Sequence, residues 1–472
     1  MAPHSRLSVS PPPSAPPREA SGQLALRAYV TLLFFVTIAH TAVFNLLGPI
    51  GAGAVLGGLF LGTVAMWVPL IVQQRPQRFA WQRLPWAPLA YVALALISAL
   101  WSRWPTATLL TGALLLSITV GALFIAMALS WQEIIRSISS ALKWTLGLSL
   151  LLELWAAFVV RGPILPNFSD LPEGKTDPHW YWVRANLLEG GRIQGIVGNS
   201  NALGILCLLA LVVFGVLYVA KVRRRGWLVA WGALAAYLLV RAASATTYVC
   251  AVMVLVVLAT VLLMRRAQRP EQRTPIYLTF AAVALGLGAI VWFARDAIFG
   301  AFGRSSDLTG RLTIWQTVLE RAAQRPFAGN GFSSPWVPWA EGFDGWIVDH
   351  GITVFHAHNM WIDVYLQLGL LGLLLMVASY GSLMWRAWFF AVDRPRWDLR
   401  ADRPYAPLSL LPTLIVGLLL TQGLTESGPI MLWGWMLLVL FSFKIKTVPL
   451  VGVGLSEHTN LIERGARRRR TP

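Results

Sequence analysis

The chain is 472 residues long, 56% hydrophobic and only 13% charged, with a mean hydropathy of +0.60. Soluble domains carry about 25% charged residues, so the composition excludes a water-soluble globular protein and indicates a polytopic membrane protein. The net charge of +18 would suit a nucleic-acid binder, but the basic residues cluster in alternate loops, which marks membrane topology and excludes that partner.

Residues 1–26 are Pro- and Ser-rich with no apolar core, and read as a disordered cytoplasmic tail rather than a signal peptide. A membrane-spanning helix needs about 20 apolar residues. Twelve candidate segments follow, near 27–47, 50–72, 86–101, 107–129, 137–160, 196–220, 227–243, 246–264, 276–294, 359–385, 405–424 and 429–446. Arg75, Arg78 and Arg83, then Lys221 and Arg223 to Arg225, then Arg265, Arg266, Arg269 and Arg273 fall on one side of that count. Arg386, Arg394, Arg396, Arg400 and Arg403 and the tail arginines Arg464 and Arg467 to Arg470 fall on the same side. The positive-inside rule then places both termini in the cytoplasm. In a bacterial inner membrane, the loops 161–195 and 295–358 face the periplasm. The organisation expected is a tail (1–26), helices one to nine (27–294), a large external loop (295–358), helices ten to twelve (359–446) and a basic tail (447–472). Membrane lipids are the partners this surface implies. Cys207 and Cys250 both lie inside apolar segments, so neither a disulfide framework nor a Cys-based metal site is available.

The large loop has structure of its own. Asp307 to Arg311 reads as a helix start capped by Asp307 or Thr309, and Leu312, Trp315, Val318, Leu319 and Ala322 form a helical apolar stripe ending near Arg325-Pro326. This predicts an amphipathic helix lying on the bundle. The Gly/Pro/Trp-rich stretch after it reads as coil lining a cleft, with tryptophans suited to the lipid interface.

Three arginines fall on the external side, where topology gives no reason for them: Arg192 before the sixth segment, Arg241 at the end of the seventh, and Arg311 in the loop helix. Singly, each can snorkel or pair with a nearby acid. Together they favour an anionic ligand, because a guanidinium matches phosphate oxygens bidentately. Asn199 and Asn201, among Gly195, Gly198 and Gly204, sit at a helix start, where exposed N–H groups bind anions or where an asparagine simply caps. His350, His356 and His358 fall within nine residues, but no recognised metal-ligand spacing accompanies them, so no metal is expected. His358 opens a segment carrying Asn359, Asp363 and Gln367 at i, i+4 and i+8, a polar stripe that must face the bundle interior. Gly369 and Gly372 would let a neighbouring helix approach closely. Glu426, between the last two segments, can orient an arginine, bind a sugar hydroxyl or cap the last helix.

These residues resemble a known family. His358-Asn359, nine intervening residues and Gly369-Leu-Leu-Gly372 match the H-[NSQ]-x9-G-x-x-G pattern of O-antigen ligases and related O-oligosaccharyltransferases. Upstream, RIQGIVGNSNALG, LTGRLTIW and RPFAGNGF look like the other signature regions, in the same order. The family usually has Ser before the arginine aligned with Arg241, whereas Val240 stands here. The resemblance implies an all-α, GT-C-like membrane fold of about twelve helices. It also implies transfer of polysaccharide from undecaprenyl pyrophosphate to a sugar hydroxyl of lipid A–core on the periplasmic face, without metal or cofactor; direct displacement would invert the anomeric centre. His358 would be catalytic, and Arg192, Arg241 and Arg311 would hold the pyrophosphate. Asn199, Asn201, His356, Asn359, Asp363 and Glu426 are candidates for support. A repeat-unit polymerase or protein O-oligosaccharyltransferase would use the same chemistry on another acceptor. A flippase of a lipid-linked glycan would need only the binding arginines, but the chain lacks the internal repeat expected of many transporters.

Overall fold

The computed structural model describes residues 21–73, 81–167, 178–221, 225–267, 269–283, 285–286, 305–338, 340–349, 351–393 and 405–448. His350, most of both tails, the last residues of the expected ninth segment and several of the topology-marking arginines lie outside these residues. Among the described residues the regular elements are helices, with one hairpin of two-residue strands, Val348–Asp349 and Ile352–Thr353, and an isolated bridge between Ile164 and Val183. In chain order the helices are α1 (Ser21–Ile38), α2 (His40–Gln73), α3 (Trp86–Ile97), α4 (Pro105–Ala128), α5 (Trp131–Trp155), α6 (Asn186–Glu189), α7 (Ser200–Val219), α8 (Arg225–Ala242) and α9 (Ala245–Arg266). They continue with α10 (Ser305–Ala322), α11 (Met360–Val392), α12 (Leu411–Gln422) and α13 (Leu432–Thr447). Residues 273–283 are also helical. Among the described residues six helices are long and apolar enough to cross a membrane, and three more apolar helices are shorter.

Boundaries follow local chemistry more closely than apolar runs do. Gly48 interrupts α2 at φ 69°, ψ 179°, between the first two expected segments. Pro49 follows it, and the residue before a proline is disfavoured in the helical region. α5 starts six residues before the expected 137, because Ser130 and Glu133 close a reciprocal capping box. An apolar window misses that start, since its first turns carry Glu133 and Arg136.

The main core gathers α4 against α13, α1 against α5, α7 against α8 and α9 against α12. A second, smaller core forms where α10 and the loop after it lie on the start of α11, and it contains Trp104, Ile314, Val318, Ala322, Trp336, Phe343 and Leu366. Three expectations change here. The buried stripe of α10 is Ile314, Val318 and Ala322, while Leu312 and Leu319 are exposed. Packing against the large Trp104 and Trp336 rings sets the helix's rotation, and the choice between two apolar stripes cannot be made from periodicity alone. α10 also begins at Ser305, so Asp307 and Thr309 fall inside the helix rather than before it, and Arg311 sits in its second turn. Trp336 is fully buried, stacked on Phe343 at 5.4 Å, instead of lying at a lipid interface.

The deepest irregularity is in α11. Gly369 adopts φ 61°, ψ −155°, which breaks the helix inside its apolar length. The freed groups are paired by the segment 326–331: Leu370 N–H donates to Pro326 O (2.8 Å) and Leu371 N–H to Phe327 O (3.1 Å). In return Asn330 N–H donates to Leu366 O (3.0 Å) and Gly331 N–H to Gln367 O (2.9 Å). Broken backbone is tolerated at membrane depth only where protein satisfies it. A Cβ on Gly369 would lie 2.5 Å from the Phe327 carbonyl carbon, so the neighbour that this glycine admits is a loop, not the helix expected.

Candidate active site

Four segments meet at one end of the bundle: the turn before α7, the end of α8, the second turn of α10 and the loop between α12 and α13, all around the start of α11. Asn359 builds that start. Its side chain accepts from the N–H groups of Trp361 (2.9 Å) and Ile362 (3.3 Å), capping α11, and donates to Leu424 O (3.0 Å). Met360 N–H donates to Gly423 O (2.9 Å). The cap therefore also seats the loop that carries Glu426.

Glu426 is the hub. Its Oε1 accepts from Arg311 (3.0 Å) and from the Asn201 amide (3.0 Å), and its Oε2 faces His358 Nδ1 at 3.2 Å. Asn201 in turn accepts from Arg192 at 2.6 Å. Burial acts to raise the Glu426 pKa, but the His358 hydrogen bond and the positive charge of Arg311 outweigh it and hold the carboxyl at about 2. An ionised carboxylate only accepts, so His358 Nδ1 must carry the proton and the lone pair of the neutral ring falls on Nε2. Glu426 thus orients both an arginine and the histidine. It does not cap the last helix, whose N-cap is Met431.

His358 itself sits at φ 50°, a left-handed conformation uncommon for a residue with a side chain. Its N–H donates to His356 Nδ1 (3.1 Å), and the two rings are 4.2 Å apart, edge to face. Burial, with the charges of His358 and Arg311, pushes the His356 pKa down to about 3, the Glu426 charge opposing, so His356 is neutral and an acceptor. Donor atoms of His356, His358 and Glu426 lie within 4.8 Å of one another, close enough to hold a cation. A cation there would compete with Arg311 for the same carboxylate, however, and the His356 nitrogen facing His358 is already occupied.

The three arginines are not equivalent. Arg192 and Arg311 reach Glu426, one through Asn201 and one directly. Arg241 lies behind Arg192: its guanidinium donates to Asn186 O and Leu187 O at 2.9 Å each, and its Nε is buried without a hydrogen-bond partner. The backbones interlock, with Arg192 Nε donating to Ala242 O (3.0 Å) and Ile193 N–H to Arg241 O (3.3 Å). Asn199 does not join the cluster. Its oxygen accepts from Asn201 N–H (2.8 Å) and Ala202 N–H (3.1 Å), so the N–H groups that would have bound an anion are already capped.

Asp363 and Gln367 point inward as their spacing predicted, and both are fully buried. Sequence reasoning missed Glu153 on α5. This fully buried acid accepts from Gln194 N–H (2.9 Å) and Gly195 N–H (2.8 Å), and so fixes the turn between Arg192 and α7. A lone carboxylate inside the run SLLLELW was the available signal.

Membrane-length helices enclosing a carboxylate, histidines and arginines define a multi-pass membrane protein with an acid–base and anion-binding chemistry at one end. Residues 209–377 match the family described as O-Antigen ligase. The chain is also similar to the exopolysaccharide production protein ExoQ of Rhizobium meliloti (strain 1021), 28% identical over 346 residues that cover 68% of this chain and 71% of that one. Both similarities support a ligase- or polymerase-type enzyme of polysaccharide biosynthesis. The matched family region contains Arg241, Arg311, His358 and Gly369, while Arg192, Asn201 and Glu426 lie outside it.

Proposed function

We propose that this protein is an O-antigen ligase, transferring polysaccharide from undecaprenyl pyrophosphate to a sugar hydroxyl of lipid A–core on the periplasmic face of the inner membrane. The observation that carries the reading is the carboxylate of Glu426 shared between His358 and Arg311. His358 Nε2 takes the proton of the acceptor hydroxyl as its oxygen attacks the anomeric carbon. The bond from that carbon to the pyrophosphate oxygen breaks, and the electron pair leaves on the phosphate. Direct displacement inverts the anomeric centre. Arg311 and Arg192 neutralise the departing charge, which is effective in a site shielded from water. The Arg241 guanidinium stands behind Arg192 and holds the carbonyls of Asn186 and Leu187, which supports the segment that carries Arg192. No metal or cofactor enters the step. The twelve-span topology, the cytoplasmic termini and a GT-C-like arrangement belong to the same proposal.

The similarity to an exopolysaccharide production protein favours a second reading, in which the acceptor is another lipid-linked saccharide and the product a longer polymer. Purified protein in proteoliposomes, given a lipid-linked glycan donor and either lipid A–core or a second donor molecule, separates the two by product. In the ligase reading, polymer appears on lipid A–core and His358→Ala abolishes it; wild-type transfer by that variant refutes the catalytic assignment.

A further inference from the structure

Asp363 lies one turn into α11 and is fully buried. Its Oδ1 accepts from the Trp336 indole (2.8 Å) and the Gln367 amide (3.0 Å). Its Oδ2 faces Ala357 N–H at 3.4 Å. Ala357 is the residue between His356 and His358, and Trp336 N–H donates to Phe355 O (2.8 Å) on the other side of the same strap. One carboxylate therefore reaches the backbone of residues 355–357 from two directions. The next residue is His358, held in its left-handed conformation. Such a conformation is strained and persists only where the surroundings over-determine it. The Trp315 indole holds Ala357 O (2.8 Å), but nothing else among the described residues ties Ala357 N–H. A buried carboxylate held by three donors has a use beyond packing.

We propose that Asp363 is a positioning residue for the transfer reaction: it clamps the strap 355–357, and so fixes the His358 backbone and aims its imidazole at Glu426. The inference rests on the reading of His358 as the proton acceptor. It assigns Asp363 no contact with substrate.

The test is steady-state transfer by Asp363→Asn, per unit of folded protein, beside His358→Ala. The asparagine oxygen still accepts from Trp336 and Gln367, but its NH2 group opposes the Ala357 N–H, so the strap shifts while the core keeps its shape. A shift of about 1 Å can lower kcat on the order of a hundredfold, and KM for the donor stays at the wild-type value because the arginines are untouched. General loss of structure would instead lower the folded yield and leave kcat of the remainder intact. Trp336→Phe keeps the ring in the core and removes only its donor; a several-fold fall in kcat at constant KM is expected. Wild-type kcat in both variants, with His358→Ala inactive, overturns the positioning role. An active His358→Ala refutes the underlying site assignment instead.

Discussion

His358 Nδ1 stands 3.2 Å from Oε2 of Glu426, and that contact fixes which ring nitrogen is free. Glu426→Gln should therefore be more damaging than loss of one charge suggests. A glutamine can present either its oxygen or its NH2 group to Nδ1, and the NH2 orientation forces the proton onto Nε2. Where a carboxylate sets the tautomer of a catalytic histidine, the amide variant lowers kcat by about 10⁴-fold with geometry intact. We expect a loss on the order of 10²- to 10⁴-fold here, with donor KM little changed, measured as initial transfer rate in proteoliposomes. A loss confined to KM would assign Glu426 to binding.

Arg311 shares the same carboxylate through a 3.0 Å ion pair. Arg311→Ala should abolish transfer, since it removes the cation that faces the leaving group and leaves Glu426 half-paired. Arg311→Lys should retain part of the rate, because a point charge replaces only one arm of the fork. Equal activity of the lysine and alanine variants would show that the charge is not what matters.

How much of this was legible in the sequence divides by the kind of force involved. The apolar runs marked the chain as a helical membrane protein, and the i, i+4, i+8 spacing located the buried face of α11, because burial has a period that a sequence displays. His358 stood out at the mouth of an apolar segment, and Arg311 as a basic residue on the external side, where topology gives no reason for one. Glu426 was visible but undecided: its partners come from α10, α11 and the start of α7, and sequence distance gives no hint that Asn201 bridges to it. The register of α10 was misread because Leu312 and Ile314 are equally apolar, and only the Trp104 and Trp336 rings decide which is buried. The insertion of residues 326–331 into the broken α11 was unreadable for the same reason. It is a pairing between Gly369 and a loop some forty residues upstream, and a glycine alone does not name its neighbour.

Acid should destabilise the site in two steps of the same sign. The His356 pKa is depressed to about 3 against an ordinary 6.5, so below pH 6.5 the unfolded chain takes up a proton that the folded one refuses. Glu426, depressed to about 2 against an ordinary 4.5, contributes stability that is present above pH 4.5 and lost as pH falls towards 2. The thermal midpoint in detergent should therefore begin to fall near pH 6.5 and fall more steeply below 4.5. His356→Asn should remove the first part of that slope and leave the second. A slope unchanged in the variant would assign the first step to another group.

Gly369 and Gly381 lie on the same helix and should answer oppositely to alanine. At 369 the backbone is left-handed and a methyl group would meet the Phe327 carbonyl carbon at 2.5 Å, which expels the loop that pairs the broken turn. Strain of about 1–3 kcal/mol, added to the clash, should lower the folded yield severely. At 381 nothing lies within 4 Å of the added methyl, and Gly381→Ala should raise stability slightly through helix propensity. Thermal midpoints of the two purified variants make the comparison.

Asn199 and Asn201 are two residues apart, yet they belong to different parts of the molecule. Asn199 caps α7, so Asn199→Ala should cost about 1 kcal/mol of stability and leave kcat per folded molecule at the wild-type value. Asn201 bridges Arg192 to Glu426, accepting from one at 2.6 Å and donating to the other at 3.0 Å. Asn201→Ala leaves both charges in place but breaks the link that holds them in register. We expect kcat to fall on the order of tenfold with little change in melting temperature, because a site geometry is lost rather than a helix start. Asn201→Asp should be worse still, since a second carboxylate beside Glu426 repels it and draws Arg192 away from the leaving group. If Asn199→Ala proved the more damaging to kcat, the N–H groups of the α7 terminus, rather than the Arg192 side chain, would be the anion-binding element at this end of the bundle.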